Sequence, residues 1–259
     1  MYANPEGYDR FMGRWSARLA PQFVRFAAVG SARLILDLGC GTGSLARAVP
    51  AVRRRARVVG VDPAWSYLEY ARRRVPRGRT SLVAALAEVL PFPDGRFDAV
   101  LSLLVLQEFP EPGRAVAEMC RVARPGGIVA ACQWDFEHGM PMLAAIWEAV
   151  RDVAPEVCDG RKRACESEQD LRALWTSAGL ADVATDGLSM ELSFANLDDL
   201  WGPVLAGPTP TSALVASLAP AAHEAIRARL ATLVLHGEPD GAFTMRARAF
   251  AARGRRPDA

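Results

Sequence analysis

Apolar residues in this chain fall into short, nearly unbroken runs, separated by stretches where they recur every three or four positions. The runs occupy residues 34–38, 56–61, 80–85, 97–102 and 128–134. Segments apolar at almost every position suit parallel strands covered on both faces. Helical spacing marks residues 17–29, 45–49 and 114–122. Residues 135–178 read as helical and richer in polar groups, and residues 170–179 form a capped helix closing on Gly179. A further strand is predicted over 180–188, a helical stretch over 197–236, and a last strand over 241–252. Strands alternating with helices predict an α/β fold.

Composition narrows the class. With 259 residues, 51% hydrophobic and 23% charged, the chain can bury a sizeable core and reads as globular. A net charge of +2 argues against a nucleic-acid or membrane partner. The arginine clusters Arg53-Arg54-Arg55 and Arg72-Arg73-Arg74 have no interleaved aromatic residues for base stacking, so they read as solvated faces. Cys40, Cys120, Cys132, Cys158 and Cys165 show no C-x-x-C pair and no zinc spacing. They read as reduced thiols, with no metal site. The opening Met1-Tyr2-Ala3-Asn4-Pro5-Glu6 lacks the pattern of a signal peptide, and the apolar run near 97–106 is too short for a membrane span. Together these lead to an expected cytoplasmic location.

The chemistry concentrates after the first run. Leu34-Ile35-Leu36-Asp37-Leu38 leads into Gly39-Cys40-Gly41-Thr42-Gly43-Ser44, a strand entering a glycine turn that opens a helix. Such a turn lets a ligand lie against bare backbone, and the helix start favours a negative group. A dinucleotide fingerprint is G-x-G-x-x-G; here the third glycine comes one residue early. Asp62, 19 residues beyond Gly43, closes the next strand, where a carboxylate can reach ribose hydroxyls. Asp62-Pro63 is equally a helix start.

Asp37-Leu38-Gly39-Cys40-Gly41-Thr42-Gly43 resembles the nucleotide-binding motif of the class I S-adenosylmethionine (SAM) methyltransferases, and the resemblance extends over residues 8–134. It implies a Rossmann-like, seven-stranded, mostly parallel sheet with helices on both faces and an antiparallel last strand at the edge. In that family the turn (Gly39, Cys40, Gly41, Gly43) approaches the methionine and ribose of SAM, and Asp37 acts through the amino group. Asp62 and Pro63 then take the ribose, and Trp65 flanks the adenine. Residues 85–98 resemble the family's loop over adenine: Ala87 and Glu88 match, but Leu86 stands where the family usually has an acid. The stretch Tyr8-Asp9-Arg10-Phe11-Met12-Gly13-Arg14-Trp15 resembles the family's cover, which makes Tyr8 and Arg14 candidates for the cofactor edge. Glu118-Met119-x-Arg121 and Arg124-Pro125-Gly126-Gly127 also match, in a structural role. The similarity is to the broad ubiquinone-biosynthesis-like group.

These readings imply one domain over 1–259, with a lid or helix at 1–31, a SAM-binding core at 32–134, and helical caps at 135–178 and 195–238 over the substrate pocket. SAM would leave as S-adenosylhomocysteine. Because the cofactor supplies the activated group, a base is needed only for an acceptor protonated at neutral pH. Ser102 would reach the sulfonium side. Glu108, Asp135, Glu137 and His138 are the ionisable candidates, and Trp134, Phe136, Trp147 and Trp201 are candidates for an acceptor pocket. A small-molecule acceptor fits best. A nucleic-acid or protein methyltransferase, or a SAM-binding protein without turnover, are the alternatives. Oxygen, nitrogen, carbon and sulfur acceptors all remain open, as does the oligomeric state.

Overall fold

The computed structural model describes residues 4–157, 165, 167–207 and 209–258. Its described strands are β1 (Leu34–Leu38), β2 (Arg57–Val61), β3 (Thr80–Val83), β4 (Phe97–Leu103), β5 (Ala123–Trp134), β6 (Ala181–Phe194) and β7 (Phe243–Arg255). They form one sheet in the order β3-β2-β1-β4-β5-β7-β6. β1 to β5 pair in parallel, and β7 runs antiparallel to both its neighbours. The chain moves outward from β1 to β3, then crosses back to β4 on the other side of β1. Ligands of open α/β sheets bind beyond the strand ends where the order reverses in this way.

The last strand is antiparallel as expected, but its expected edge position is wrong. β7 lies between β5 and β6, and β6 forms the edge. The cause is visible in β7 itself: Ala247, Ala249, Phe250, Ala251 and Ala252 are all buried, so consecutive positions are covered on both faces. Small alanines fit such an interior strand without registering as an apolar run. β6 is also longer than predicted, because it bonds to β7 as far as Phe194↔Phe243. Arg124-Pro125-Gly126-Gly127 belongs to β5, entering through a register shift between Phe97 and Ala99.

Alternation along the strands feeds two apolar layers: Ile35 points into one, Leu36 and Leu38 into the other. The first lies under α2 (Arg14–Phe26), α3 (Ser44–Val52), α6 (Pro141–Val153), α8 (Leu197–Leu205), α9 (Pro210–Ala216) and α10 (Pro220–Leu235). The second lies under α5 (Pro112–Val122) and α7 (Glu168–Ser177). α7 opens on a capping box between Ser167 and Asp170, which satisfies two orphan amides. α4 (Trp65–Arg72) follows β2. Arg229 of α10 bridges Asp152 and Glu148 of α6.

Ahead of the sheet, α1 (Pro5–Tyr8) runs through a π-helical turn (Asp9–Gly13) into α2. Phe11, Trp15, Leu19 and Phe23 of this segment are fully buried, so it belongs to the core as well as covering it. Cys40, Cys120, Cys132 and Cys165 are free thiols; Cys158 and part of the expected cap at 135–178 lie outside the described residues. No described helix is long and apolar enough to cross a membrane.

Candidate functional site

The glycine turn is tied to its neighbours before any ligand is considered. The Gly39 and Cys40 amides donate to the Val61 carbonyl at 2.8 and 2.9 Å, and Gly43 N–H donates to the Cys40 carbonyl at 2.8 Å. Gly39 has φ +70°, and a Cβ there would lie 2.5 Å from Val105 Cγ1, so no larger residue fits. Gly41 has φ +49° but meets only Tyr67 Cδ1, at 3.8 Å. Its backbone is therefore bare toward the cleft.

Asp62 fastens this turn from the end of β2. Its Oδ2 accepts the Gly41 N–H at 3.0 Å and its Oδ1 accepts the Ala64 N–H at 2.9 Å. Burial pushes its pKa up, and the Ala64 and Gly41 amides pull it down. The carboxylate is thus both a cap for the start of α4 and a clamp on the turn. Asp37 differs. It is 1% exposed, and neither of its carboxylate oxygens makes a hydrogen bond. Burial raises its pKa to about 7, opposed by the Ala46 amide, which lies outside hydrogen-bond geometry, and supported by the charge of Asp62. A buried carboxylate without partners is costly, so its environment suits a cationic group.

A cleft of about 470 Å³ opens over the turn. Its floor includes Gly39, Gly41, Asp62 and Pro63, and one wall is Ala85, Leu86, Ala87 and Glu88. The opposite wall is the end of β4 (Leu103, Leu104, Val105) with Glu108 and Phe109, and Tyr8 and Tyr67 contribute from the helices. Tyr8 packs edge-on against Tyr67 at 5.7 Å, and burial pushes the Tyr8 phenol up to about 12. Leu104 holds φ +63°, a strained position for a branched side chain. The strain is fixed from two sides: its amide donates to the Cys132 carbonyl at 2.6 Å, and its carbonyl accepts from Gln107 Nε2 at 2.9 Å. This kink turns the chain from β4 along the cleft.

The loop wall is held by the phrase that the sequence marked as structural. Glu118 Oε2 accepts the Leu90 N–H at 2.7 Å, and Arg121 Nε donates to Glu118 at 2.6 Å. Arg121 also donates to Asp94 and to the Phe92 and Leu90 carbonyls. Leu86 itself is 59% exposed, so a polar residue there costs the fold little. Leu86→Asp is expected to tighten the binding of an adenosine-bearing ligand by up to roughly tenfold, the worth of one added hydrogen bond to a charged group. Titration calorimetry checks this; weaker binding would mean that Leu86 packs against the ligand.

Other expected site residues lie elsewhere. Cys40 and Ser102 are buried behind the cleft, and Asp37 and Gly43 also do not line it. Arg14 is drawn away: it donates to Asp199 Oδ1 at 2.7 Å and to the Asp199 carbonyl at 3.0 Å, with its guanidinium over Trp15. Trp134 and Trp201 are core residues, 3% and 4% exposed, and Phe136 and Trp147 pack on the same core without reaching the cleft. Trp65 is exposed under Arg72. His138 is exposed beside Glu137, and its backbone N–H donates to Asp135 Oδ1.

Asp9 was missed by the sequence reading. It accepts from Thr42 Oγ1 at 3.1 Å, Tyr70 Oη at 3.2 Å and Arg74 Nη2 at 2.8 Å, and so joins the first helical segment to the glycine turn and to α4. Its partners are 33 to 65 residues away, and no local pattern announces them.

Residues 36–131 match a family model described as a methyltransferase domain. Over 164 residues the chain is 34% identical to a malonyl-[acyl-carrier protein] O-methyltransferase of Halorhodospira halophila, covering 63% of this chain and 53% of that one. The chain spans less than two thirds of the length of the curated relatives it matches. Among solved structures, the YcgJ protein of Bacillus subtilis superposes with a TM-score of 0.56 at 18% identity, covering 95% of this chain and 100% of that one. A phosphoethanolamine N-methyltransferase 2 of Haemonchus contortus, in complex with phosphomonomethylethanolamine and S-adenosylhomocysteine, gives 0.60 at 16% identity over 98% and 57%.

Proposed function

We propose that this chain, whose residues 36–131 match a methyltransferase-domain model, uses SAM as its cofactor and transfers the methyl group to a small-molecule acceptor by in-line displacement, mainly through positioning. The observation that carries this reading is the glycine turn clamped by Asp62 at the strand-order reversal, under a cleft sized for a small ligand. Bound SAM supplies an activated methyl group and a good leaving group. The chain's own part is to hold and orient. Asp62 takes the ribose hydroxyls beside the Gly41 amide it already binds. Asp37, buried and off the cleft lining, compensates the charge of the ligand's amino group at one remove. Ala87 and Glu88 border the adenine, and the β4 end with Glu108 faces the reacting side. Orientation of this kind can supply much of the rate.

The experiment is methyl-labelled SAM offered with fractionated host extract and read by mass spectrometry. Label moving into a low-mass compound, with S-adenosylhomocysteine released, is the expected result. Label appearing only in protein or nucleic acid would overturn the small-molecule reading.

The first helical segment, within residues 1–31, serves in this reading as a lid on a SAM-binding core of 32–134, and the helices within 135–178 and 195–238 cap the acceptor side. The support is Tyr8 on the cleft and the Asp9 tie to Thr42 and Arg74. Deleting the segment would also strip Phe11 and Trp15 from the core, so a point change is the cleaner test. Asp9→Asn is expected to weaken SAM binding by about two- to fivefold, the range of a partly exposed ion pair, with the melting temperature nearly unchanged. Unaltered affinity in a calorimetric titration would count against a lid.

A further inference from the structure

The chain has 31 Lys and Arg residues, yet among the described residues no Lys, Arg or His lines the cleft. The charged side chains on its walls are Asp62, Glu88 and Glu108, all acidic. Two guanidiniums of neighbouring elements are committed elsewhere. Arg14 is paired with Asp199 and Arg74 with Asp9, and both line a separate groove with Glu6 and Arg10. The acids also divide by position. Asp62 ends β2 and Glu88 sits in the loop after β3, on the side of the strand order that receives a nucleoside. Glu108 stands apart, on the turn after β4, across the cleft between the apolar Val105 and Phe109 and opposite Tyr8.

We infer that the acceptor is a small amine, held as its ammonium form by Glu108 against the apolar β4 wall, and that carboxylate and phosphate acceptors are disfavoured. This rests on the methyltransferase reading and names the acceptor class within it. An ammonium entering this wall meets a carboxylate flanked by the apolar Val105 and Phe109, and a charge-assisted bond is about twice as strong as a neutral one. A carboxylate or phosphate would meet like charge with no basic partner, which is repulsion together with desolvation. For transfer, the nitrogen first loses a proton to water at the cleft mouth. Its lone pair then bonds the methyl carbon while the carbon–sulfur pair returns to sulfur, and S-adenosylhomocysteine leaves. Glu108 is a binding residue for the acceptor in this scheme.

The test needs no knowledge of the natural acceptor. Sinefungin is a SAM analogue with an amine-bearing carbon in place of the methylated sulfur, so its ammonium stands where the transferred methyl sits, beside the path of the acceptor atom. S-adenosylhomocysteine shares its remaining groups and lacks that charge. Titration calorimetry on the intact protein is expected to show sinefungin binding about tenfold more tightly than S-adenosylhomocysteine. Glu108→Gln is expected to bring the two within about twofold by lowering the sinefungin affinity. Equal affinities in the native protein, or a preference that survives Glu108→Gln, would overturn the proposal. The native comparison stands alone if the variant fails to fold. If neither compound binds, the methyltransferase reading itself fails, and that outcome is distinct from failure of the acceptor class.

Discussion

Asp62→Ala is expected to weaken SAM and S-adenosylhomocysteine binding by about ten- to a hundredfold. The carboxylate has three tasks at one point. It accepts the Gly41 amide at 3.0 Å, it accepts the Ala64 amide at 2.9 Å, and in the proposed complex it takes the ribose hydroxyls. Hydrogen bonds to a charged group are worth about 1.5–3 kcal/mol, and each 1.4 kcal/mol is tenfold in affinity. Removing the carboxylate also frees the turn whose Gly41 backbone faces the ligand. Asp62→Asn separates the tasks: an amide oxygen can still accept from one backbone amide, so the turn should hold while the charge is lost. Calorimetry at fixed pH should therefore place Asn between the native protein and Ala. An unchanged dissociation constant for Asp62→Ala would reduce Asp62 to a helix cap.

Asp37→Asn is expected to change both the stability of the ligand-free protein and the pH dependence of binding. Burial holds the Asp37 pKa at about 7, against about 3.9 in an unfolded chain. The folded state therefore keeps a proton that the unfolded state has released, and stability falls as pH rises from the lower value to the higher. A difference of about three units corresponds to roughly 4 kcal/mol across that window, with no further loss above it. Denaturant unfolding of the ligand-free protein should show this decline between about pH 4 and 7. In Asp37→Asn it should be largely gone, leaving the variant the more stable protein at pH 8. Binding should move the other way. A cationic amino group stabilises the ionised carboxylate, so native affinity for SAM should rise by about tenfold from pH 6 to 8. The asparagine variant should bind weakly at both. Stability independent of pH in the native protein would mean that Asp37 is not held neutral by burial.

Local chemistry made much of this molecule legible in its sequence. β1, β2 and β4 appear as apolar runs because parallel strands are covered on both faces, and the glycine turn is visible because only glycine fits Gly39 against Val105. The Glu118 and Arg121 phrase was readable as structural, and its work is to hold the loop at Leu90 and Phe92. What escaped depends on distant partners. Arg14 pairs with Asp199, 185 residues on, and helical spacing cannot separate a cofactor contact from an ion pair to α8. Trp134 and Trp201 carry the aromatic surface expected of a pocket, yet a large ring in an element packed on two sides is equally good core. The position of β7 was hidden because most of its buried positions, on both faces, are alanine. The kink at Leu104 has no residue signature at all, since it is imposed by the Cys132 carbonyl and Gln107.

In the proposed reading, the Gly39–Gly43 turn with Asp62 selects SAM over a dinucleotide. The direct measurement is calorimetric titration of the purified protein with S-adenosylhomocysteine and, separately, with NAD under the same conditions. The expected result is saturable one-to-one binding of S-adenosylhomocysteine, weakened in Asp62→Ala, with no measurable heat from NAD. Comparable affinity for NAD, or no binding of S-adenosylhomocysteine, would contradict it.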